Sequence, residues 1–440
     1  MRDQHDFLLE QEITRIVGEH ESRLSLMASG LKGSEILKIA TDIRAMLAEG
    51  KQICNFTVGD FSPAQFRIPK LLEDGIKDAL TKGETNYPPS DGLSQLKKSI
   101  QEYYKLWLNL DYPLESIIVT SGSRPGIFAS YTTLVDPGDV VVYPVPSWNN
   151  NHYTHLVRGI GRPVVCGEEN AFLPTRSLLQ DAVRDARLLA LNSPLNPTGT
   201  AFTRKTLEEI CDLVLEENIL RKRTGKRPLY VMYDQVYWIL TFGSTEHFHP
   251  VGVRPAMAEY TIYVDGISKA FAATGVRVGW VAGPKDVIQK MSSLLAHVGA
   301  WAPRAEQLAT ATLLTSTDAV KEFCATMKSG VQQRLDMLYA GMSALREEGF
   351  PVDAITPMGA IYLSVQFRLI GKRTPSGNLL QTNEDIRQYI LKEAHVAVVP
   401  FQAFGSVEDT GWFRLSVGAV SLEDIGTTFG RMRSVLSVLT

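Results

Sequence analysis

Apolar positions return along this chain in two rhythms that take turns. Residues 34–49 (SEILKIATDIRAMLAE) place Ile36, Ile39, Ile43 and Leu47 on one side of a helix that stops at Gly50. Helical spacing returns over 71–80, 93–106, 204–218, 285–297 and the long stretch 318–348. Between these lie short apolar, mostly β-branched runs at 117–119, 139–143, 188–191, 229–233 and 261–264. Strands alternating with helices in this way predict an α/β domain with a mostly parallel central sheet. The later part reads differently: a strand around 360–365, a polar loop over 371–383, a helix over 384–393, strands at 396–399 and 412–417, and a closing helix from about Leu422. That mixture predicts a smaller α+β domain, completed by the N-terminal segment whose CNFTVGDFSP reads as a strand entering a turn at 59–63. Residues 1–20 carry Leu8, Leu9, Ile13, Ile16 and Val17 at roughly helical spacing and predict a docked N-terminal helix.

Composition narrows the class. The chain has 440 residues, 44% of them hydrophobic, enough for a large and a small domain with buried cores. A formal net charge of −3 argues against nucleic acid as the main partner. The basic run RKRTGKR (221–227) lacks interleaved aromatics and is expected to be an exposed loop before the 229–233 strand. Cys54, Cys166, Cys211 and Cys324 stand far apart with no CxxC spacing, which reads as reduced thiols rather than a zinc or disulfide framework. The start, MRDQHDFLLEQE, is unlike a signal peptide, and no apolar run approaches the ~20 residues of a membrane span. The chain is therefore expected to be cytoplasmic, without membrane or metal. No GxGxxG follows the first strand, so a dinucleotide fold has little support.

The segment with the most chemistry is VDGISKAFAATGVRVGWVAGP (264–284). Lys269 sits among small residues, where desolvation and a neighbouring cation make an amine nucleophilic. Arg277 supplies a planar fork suited to phosphate. Together they suggest a phosphorylated carbonyl cofactor held as a Schiff base, which is pyridoxal phosphate. Four more segments fit. SGSRPG follows a strand and opens a helix near Pro125 or Gly126, so the amides of Gly122, Ser123 and Arg124 point at an anion. PVPSW puts Trp148 where an indole can stack on a ring; NSPLNPTGT holds Asn196 between prolines; YVMYDQVY puts Asp234 at a strand's C-terminal end with Tyr237 close behind. Each also has a plainer reading: Trp148 as core, Asn196 as a turn residue, Asp234 as a helix cap.

In this order and spacing, NSPxNPTG, DxxY and SKxFxxxGxRxGW make the chain resemble the class I/II aminotransferases, the fold-type I, aspartate aminotransferase-like enzymes, from about Arg23 to the final helix. The resemblance implies a homodimer with active sites at the interface, a large cofactor-binding domain (70–325), a small domain from both chain ends (21–69 and 326–440) and an N-terminal extension (1–20). It makes Lys269 the Schiff-base lysine, Asp234 the partner of the ring nitrogen, and Asn196 and Tyr237 ligands of the cofactor's phenolic oxygen. Trp148 stacks on the ring, Arg277 and the Gly122–Arg124 turn hold the phosphate, and Tyr87 reaches in from the neighbouring subunit. Arg414, in FRLSVG, grips the substrate α-carboxylate near Gly59. The implied reaction is ping-pong transfer of an amino group between an L-amino acid and a 2-oxo acid, with Lys269 moving the Cα proton.

Several departures bear on that expectation. Gly266 stands where many relatives carry a phosphate-binding serine, VGDFSP replaces the common GEPDF, and DQVY replaces DEIY or DEVY. Arg124 matches the position of a lysine that meets a distal carboxylate in some relatives; it either favours an acidic donor such as aspartate or glutamate, or pairs with a protein carboxylate. His297 and Trp301 fall in a stretch that in relatives lines the neighbouring subunit's pocket, and Asn149–Asn151 stay unassigned. The alternatives are a β-eliminating carbon–sulfur lyase on the same scaffold and a non-catalytic aminotransferase-like binding module.

Overall fold

The computed structural model describes residues 23–31, 33 and 35–440, with the backbone alone at 35–37. The helix expected over 1–20 and the side chain of Ile36 lie outside the described residues. Residues up to Gly33 form a unit of their own, whose described part holds a one-turn helix, Leu26–Ser29, capped by Ser25 Oγ accepting from Ala28 N at 3.2 Å.

From Ser34 onward the chain is a second unit. Its first strand is short, β1 (Cys54–Asn55). The sheet strands that follow are β2 (Ile117–Thr120), β3 (Val140–Val145), β4 (Ile160–Val165), β5 (Ala186–Asn192), β6 (Tyr230–Asp234), β7 (Thr261–Gly266) and β8 (Gly279–Ala282). They form one seven-stranded sheet in the order β2-β8-β7-β6-β5-β3-β4, in which only β8 runs antiparallel to its neighbours. Alternate residues feed two cores. Ile117, Val119, Val231 and Tyr233 pack with Leu96, Ile100, Leu207 and Leu313 on one face; Ile118, Tyr230 and Met232 pack with Ile127, Leu134, Ile288 and Met291 on the other. Helices on both faces are why these runs read as continuously apolar. Each fully buried Ile or Val stabilises by roughly 1.5–3 kcal/mol, so the sheet is a rigid base for whatever its edge presents.

Beyond it come β9 (Val352–Ala354), β10 (Tyr362–Phe367), β11 (Val396–Ala397), β12 (Val399–Pro400) and β13 (Trp412–Ser416). Four of them make an antiparallel sheet, β12-β13-β10-β9, while β1 pairs in parallel with β11 through Cys54 and Val396. The long helix Thr317–Glu347 starts in the first core with Val320 and Cys324 and continues into a second core with Met327, Val331, Leu335 and Met342.

Four expectations change. The helix after SGSRPG begins at Ser123, not near 125 or 126, because Gly122 already serves as its N-cap. The basic run is not all loop. Arg221–Arg223 form the last turn of helix Arg204–Arg223, and Arg221 is buried, donating to the carbonyls of Ala186 (2.6 Å) and Val183 (2.8 Å) beside Glu217. Leu47 is 51% exposed, and Met46 joins Ile39 and Ile43 on the buried face instead. Finally, β4 and β8 carry no clear strand signal. The first is an edge strand with mostly exposed residues and Pro163; the second, GWVA, is short and embedded in the lysine segment.

Candidate active site

The C-terminal ends of five strands that run the same way converge on one cleft edge, as expected for ligand contacts in an open α/β sheet. β2 leads into Gly122–Arg124, β3 into Trp148, β5 into Asn196, β6 ends on Asp234, and β7 leads into the turn Ile267–Ala270 carrying Lys269. From the opposite side the small sheet and the 56–63 turn bring Arg414, Tyr362 and Gly59.

Lys269 Nζ donates to Gly59 O at 2.7 Å. Burial is the main force lowering its proton affinity, to about 8; Asp60 opposes this, and Arg414, Arg124 and Arg277 add to it. Asp234 accepts from Val236 N at 3.2 Å, and burial raises its carboxyl to about 6 against the pull of Lys269. Four cations around two carboxyls make the cleft attractive to anions.

The arginines show where those anions go. Arg414 is only 1% exposed, yet among the described residues it forms no ion pair. Its Nη1 donates to Asn196 Oδ1 (3.1 Å), its Nη2 to Thr57 O (2.8 Å), and its buried Nε has no partner. The guanidinium lies between the rings of Tyr362 and Phe404, at 4.7 and 4.8 Å from their centroids. Burial lowers its proton affinity. Arg277, at φ 59°, donates to Ser121 O (3.0 Å) and Thr274 O (2.6 Å), likewise without a carboxylate among the described residues. Gly122, at φ 77°, leaves the room this guanidinium fills, since a Cβ there would overlap it. Arg277, the Ser123 hydroxyl and the open N-terminus of helix Ser123–Leu134 therefore fit a phosphate.

Gly266 has a steric cause. A Cβ there would lie 2.8 Å from Gly279 Cα and 2.9 Å from Val278 O, so a serine is excluded. The Ser123 hydroxyl stands 3.4 Å from the same point and donates to Asp265 O at 3.3 Å.

The other expected residues divide. Tyr237 is buried, with its hydroxyl 2.6 Å from that of Tyr362. Trp148 is half-buried between the Arg124 guanidinium (5.6 Å) and Phe404 (6.1 Å). Arg124 is exposed and, among the described residues, makes no ion pair, so the plainer alternative of a protein carboxylate partner finds no support there. Tyr87 is 82% exposed, its ring against the edge of Trp301 at 5.3 Å, and His297 is exposed. Asn149 is the left-handed cap of helix Asn150–Leu156, and buried Asn150 joins Tyr131 (2.9 Å) to Ser147 (3.0 Å). Tyr362, Phe404 and Asn192 were not singled out from the sequence. Asn192 ties Asp234 O (2.8 Å) to Asn196 N (2.8 Å), and its signal was the first Asn of NSPLNPTGT. Tyr362 and Ser364 are the two hydroxyl-bearing residues of the otherwise apolar IYLSV.

The family model for aminotransferase class I and II matches residues 51–429. The chain belongs to the class I and II aminotransferases. Among its relatives is the aspartate aminotransferase of Rhizobium meliloti (strain 1021), 30% identical over 90% of this chain and 92% of that one. A crystal structure of the aspartate aminotransferase from Rhizobium meliloti superposes with a TM-score of 0.86 at 29% identity, covering 96% of this chain and all of the other. The aspartate aminotransferase from Thermus thermophilus with maleate superposes at 0.83 and 28% identity, over 94% of this chain and all of that one. The chain is thus a pyridoxal-phosphate-dependent aminotransferase with the fold-type I architecture. The relatives do not favour the lyase alternative. Among the described residues no helix is long and apolar enough to cross a membrane.

Proposed function

We propose that this aminotransferase takes an acidic L-amino acid as donor, with the cluster above as its active site. The observation that carries the reading is Arg414. A buried guanidinium without a counter-ion is costly unless an anion arrives. Its free Nε and its setting between two rings suit the α-carboxylate of an amino acid, gripped in a planar pair of hydrogen bonds.

In this reading Lys269 holds the cofactor, Asp234 meets its ring nitrogen, Asn196 and Tyr237 meet its phenolic oxygen, and Trp148 covers its ring. Arg277, Ser123 and the amides of Gly122 and Arg124 take its phosphate. When bound, pyridoxal phosphate supplies a carbonyl that condenses with amines and a ring that draws electrons from the substrate's Cα. The rest falls to the chain. Arg414 fixes the carboxylate and so the direction of the Cα–H bond. Lys269, with its proton affinity lowered to about 8, is partly a free amine near neutral pH and takes that proton as general base. Gly59 O keeps Nζ aimed while it waits. Asp234 is half-protonated near pH 6 when alone, and beside a cationic ring nitrogen it would be held as the carboxylate.

Arg124, over Trp148 at the mouth, supports an acidic donor, since its guanidinium is free of protein carboxylates among the described residues. The Thermus relative, an aspartate aminotransferase with bound maleate, carries a dicarboxylate in its own structure. Exposed Tyr87 supports a homodimer in which it completes the partner copy's phosphate site. We assign the enzyme to the cytoplasm and divide it into a large domain (70–325) and a small one (21–69 with 326–440), for which the separate sheets are the support. The test is to reconstitute the protein with pyridoxal phosphate, add single amino acids and measure the 2-oxo acid formed. Aspartate and glutamate should react best. Ammonia with pyruvate as products, or no spectral change with any donor, would reject the reading.

A further inference from the structure

Tyr362 enters above only as one of the two rings beside Arg414, yet it touches several other groups of the site. Its ring is fully buried in the apolar strand β10, edge-to-face with Tyr237 (centroids 5.6 Å apart, planes at 72°). The hydroxyls of the two tyrosines are 2.6 Å apart. The face of the Tyr362 ring lies under the Arg414 guanidinium, because β10 and β13 pair with Ser364 opposite Arg414, which puts Tyr362 and Arg414 on one face of the small sheet. A Cβ on Gly59 would stand 3.1 Å from the Tyr362 hydroxyl, and Gly59 O is the acceptor of Lys269 Nζ.

Either tyrosine could donate in the hydroxyl–hydroxyl bond, and its direction follows once the cofactor's phenolic oxygen is taken as the acceptor of the Tyr237 proton. Each phenol has one proton. Among the described residues Tyr237 is the hydrogen-bond partner of the Tyr362 hydroxyl. Were Tyr237 the donor, the buried proton of Tyr362 would have no acceptor, which costs the desolvation of that group. With Tyr362 as donor, the Tyr237 proton is left to point into the site. Hydrogen bonds in such a chain strengthen one another.

We propose that Tyr362 is a positioning residue for amino transfer: its hydroxyl donates to the Tyr237 oxygen and so commits the Tyr237 proton to the cofactor's phenolic oxygen, while its ring face holds Arg414 in place to receive the carboxylate. This rests on the assignment of Tyr237 and Arg414 made above. The two functions belong to separable parts of one side chain. The charged groups facing the tyrosine pair are Arg414 from β13, Asp234 from β6, Asp60 from the 56–63 turn and Lys269 from the 267–270 turn. Tyr362→Phe removes the hydroxyl and none of these charged groups.

The experiment compares Tyr362→Phe and Tyr362→Leu with the parent, each reconstituted with pyridoxal phosphate. The readouts are the pH midpoint of the bound cofactor's visible absorbance change and kcat and KM for an amino donor. A hydrogen bond donated to the phenolic oxygen draws charge from it, so weakening that donor lets the cofactor keep its proton to higher pH. Tyr362→Phe should raise the midpoint by about 0.5–1 pH unit and leave KM within about twofold. Tyr362→Leu should show the same shift and in addition raise KM about 10-fold through the lost stacking on Arg414. In a Tyr237→Phe background the shift caused by Tyr362→Phe should disappear, which a general loosening of the site would not produce. A Tyr362→Phe midpoint equal to that of the parent, or a shift that persists in full without the Tyr237 hydroxyl, would overturn the proposal while leaving the aminotransferase reading intact. A parent protein that takes up no pyridoxal phosphate would overturn both.

Discussion

The two walls of the cleft are built in opposite ways. The wall from the seven-stranded sheet takes its groups from strand ends that follow one another along the chain, from Gly122 to Arg277, and each is embedded in a short motif. The wall from the small sheet takes Gly59, Tyr362 and Arg414 from distant parts of the chain, and they meet only because β1 pairs with β11 and β10 with β13. The first wall presents groups that titrate between about 6 and 8, Asp234 and Lys269. The second presents a permanently charged arginine held by rings and carbonyls. The contrast suggests a division of labour, with cofactor and proton movement on one side and recognition of the substrate's carboxylate on the other.

That division can be broken by substitution. The largest effect is expected from Lys269→Ala, which should lower turnover by at least ~10,000-fold while leaving the circular dichroism spectrum and Tm near those of the parent. Residual transamination at a tenth of the parent rate would mean that another group moves the proton. Arg414→Ala should raise KM for every amino donor by about 100-fold, with the absorbance of the bound cofactor little changed. Loss of cofactor together with substrate affinity would show that the walls do not act separately. Arg124→Ala should be narrower, raising KM for aspartate and glutamate about 10-fold but hardly affecting alanine; equal effects on all three would remove Arg124 from substrate recognition.

The smallest effect concerns stability. In the cofactor-free protein the Asp234 carboxyl titrates near 6 when folded, above its ordinary 3.8, because burial disfavours the charge. Between these values the folded form binds more protons than the unfolded one, so stability falls as pH rises from about 4 to about 6. Cofactor-free Asp234→Asn should therefore be more stable than the parent above about pH 6, with the advantage fading towards pH 4. Denaturant midpoints measured across that range would show it, and an advantage independent of pH would point to packing rather than charge.

The course of the fold was readable because strands buried on both faces and helices with one apolar side leave unmistakable rhythms. The runs that became β5, β6 and β7 lie within a residue or two of where the rhythm put them. Where a side chain's environment comes from elsewhere in the chain, the rhythm was blind. Arg221 looked like part of a solvated basic run and is instead buried against β5's first carbonyl. Leu47 fitted the apolar side of its helix, and Met46 took the buried place. The edge strand β4, half solvated and carrying Pro163, had no continuous apolar run to read.

The same boundary runs through the site. The sequence by itself marked Lys269, Asp234, Asn196 and Arg277 as candidates for one site, because each stands in a short motif that can be read locally. Only the tertiary structure decided that Arg414 has no counter-ion among the described residues, that Tyr362 hydrogen-bonds Tyr237, that Lys269 Nζ donates to Gly59 O, and that a Cβ at 266 would run into the backbone of Val278 and Gly279. The bond from Arg414 to Thr57 O spans 357 residues and that to Asn196 spans 218. Desolvation and hydrogen-bond direction depend on all the atoms that close around a group, and those atoms come from segments whose proximity no local pattern encodes.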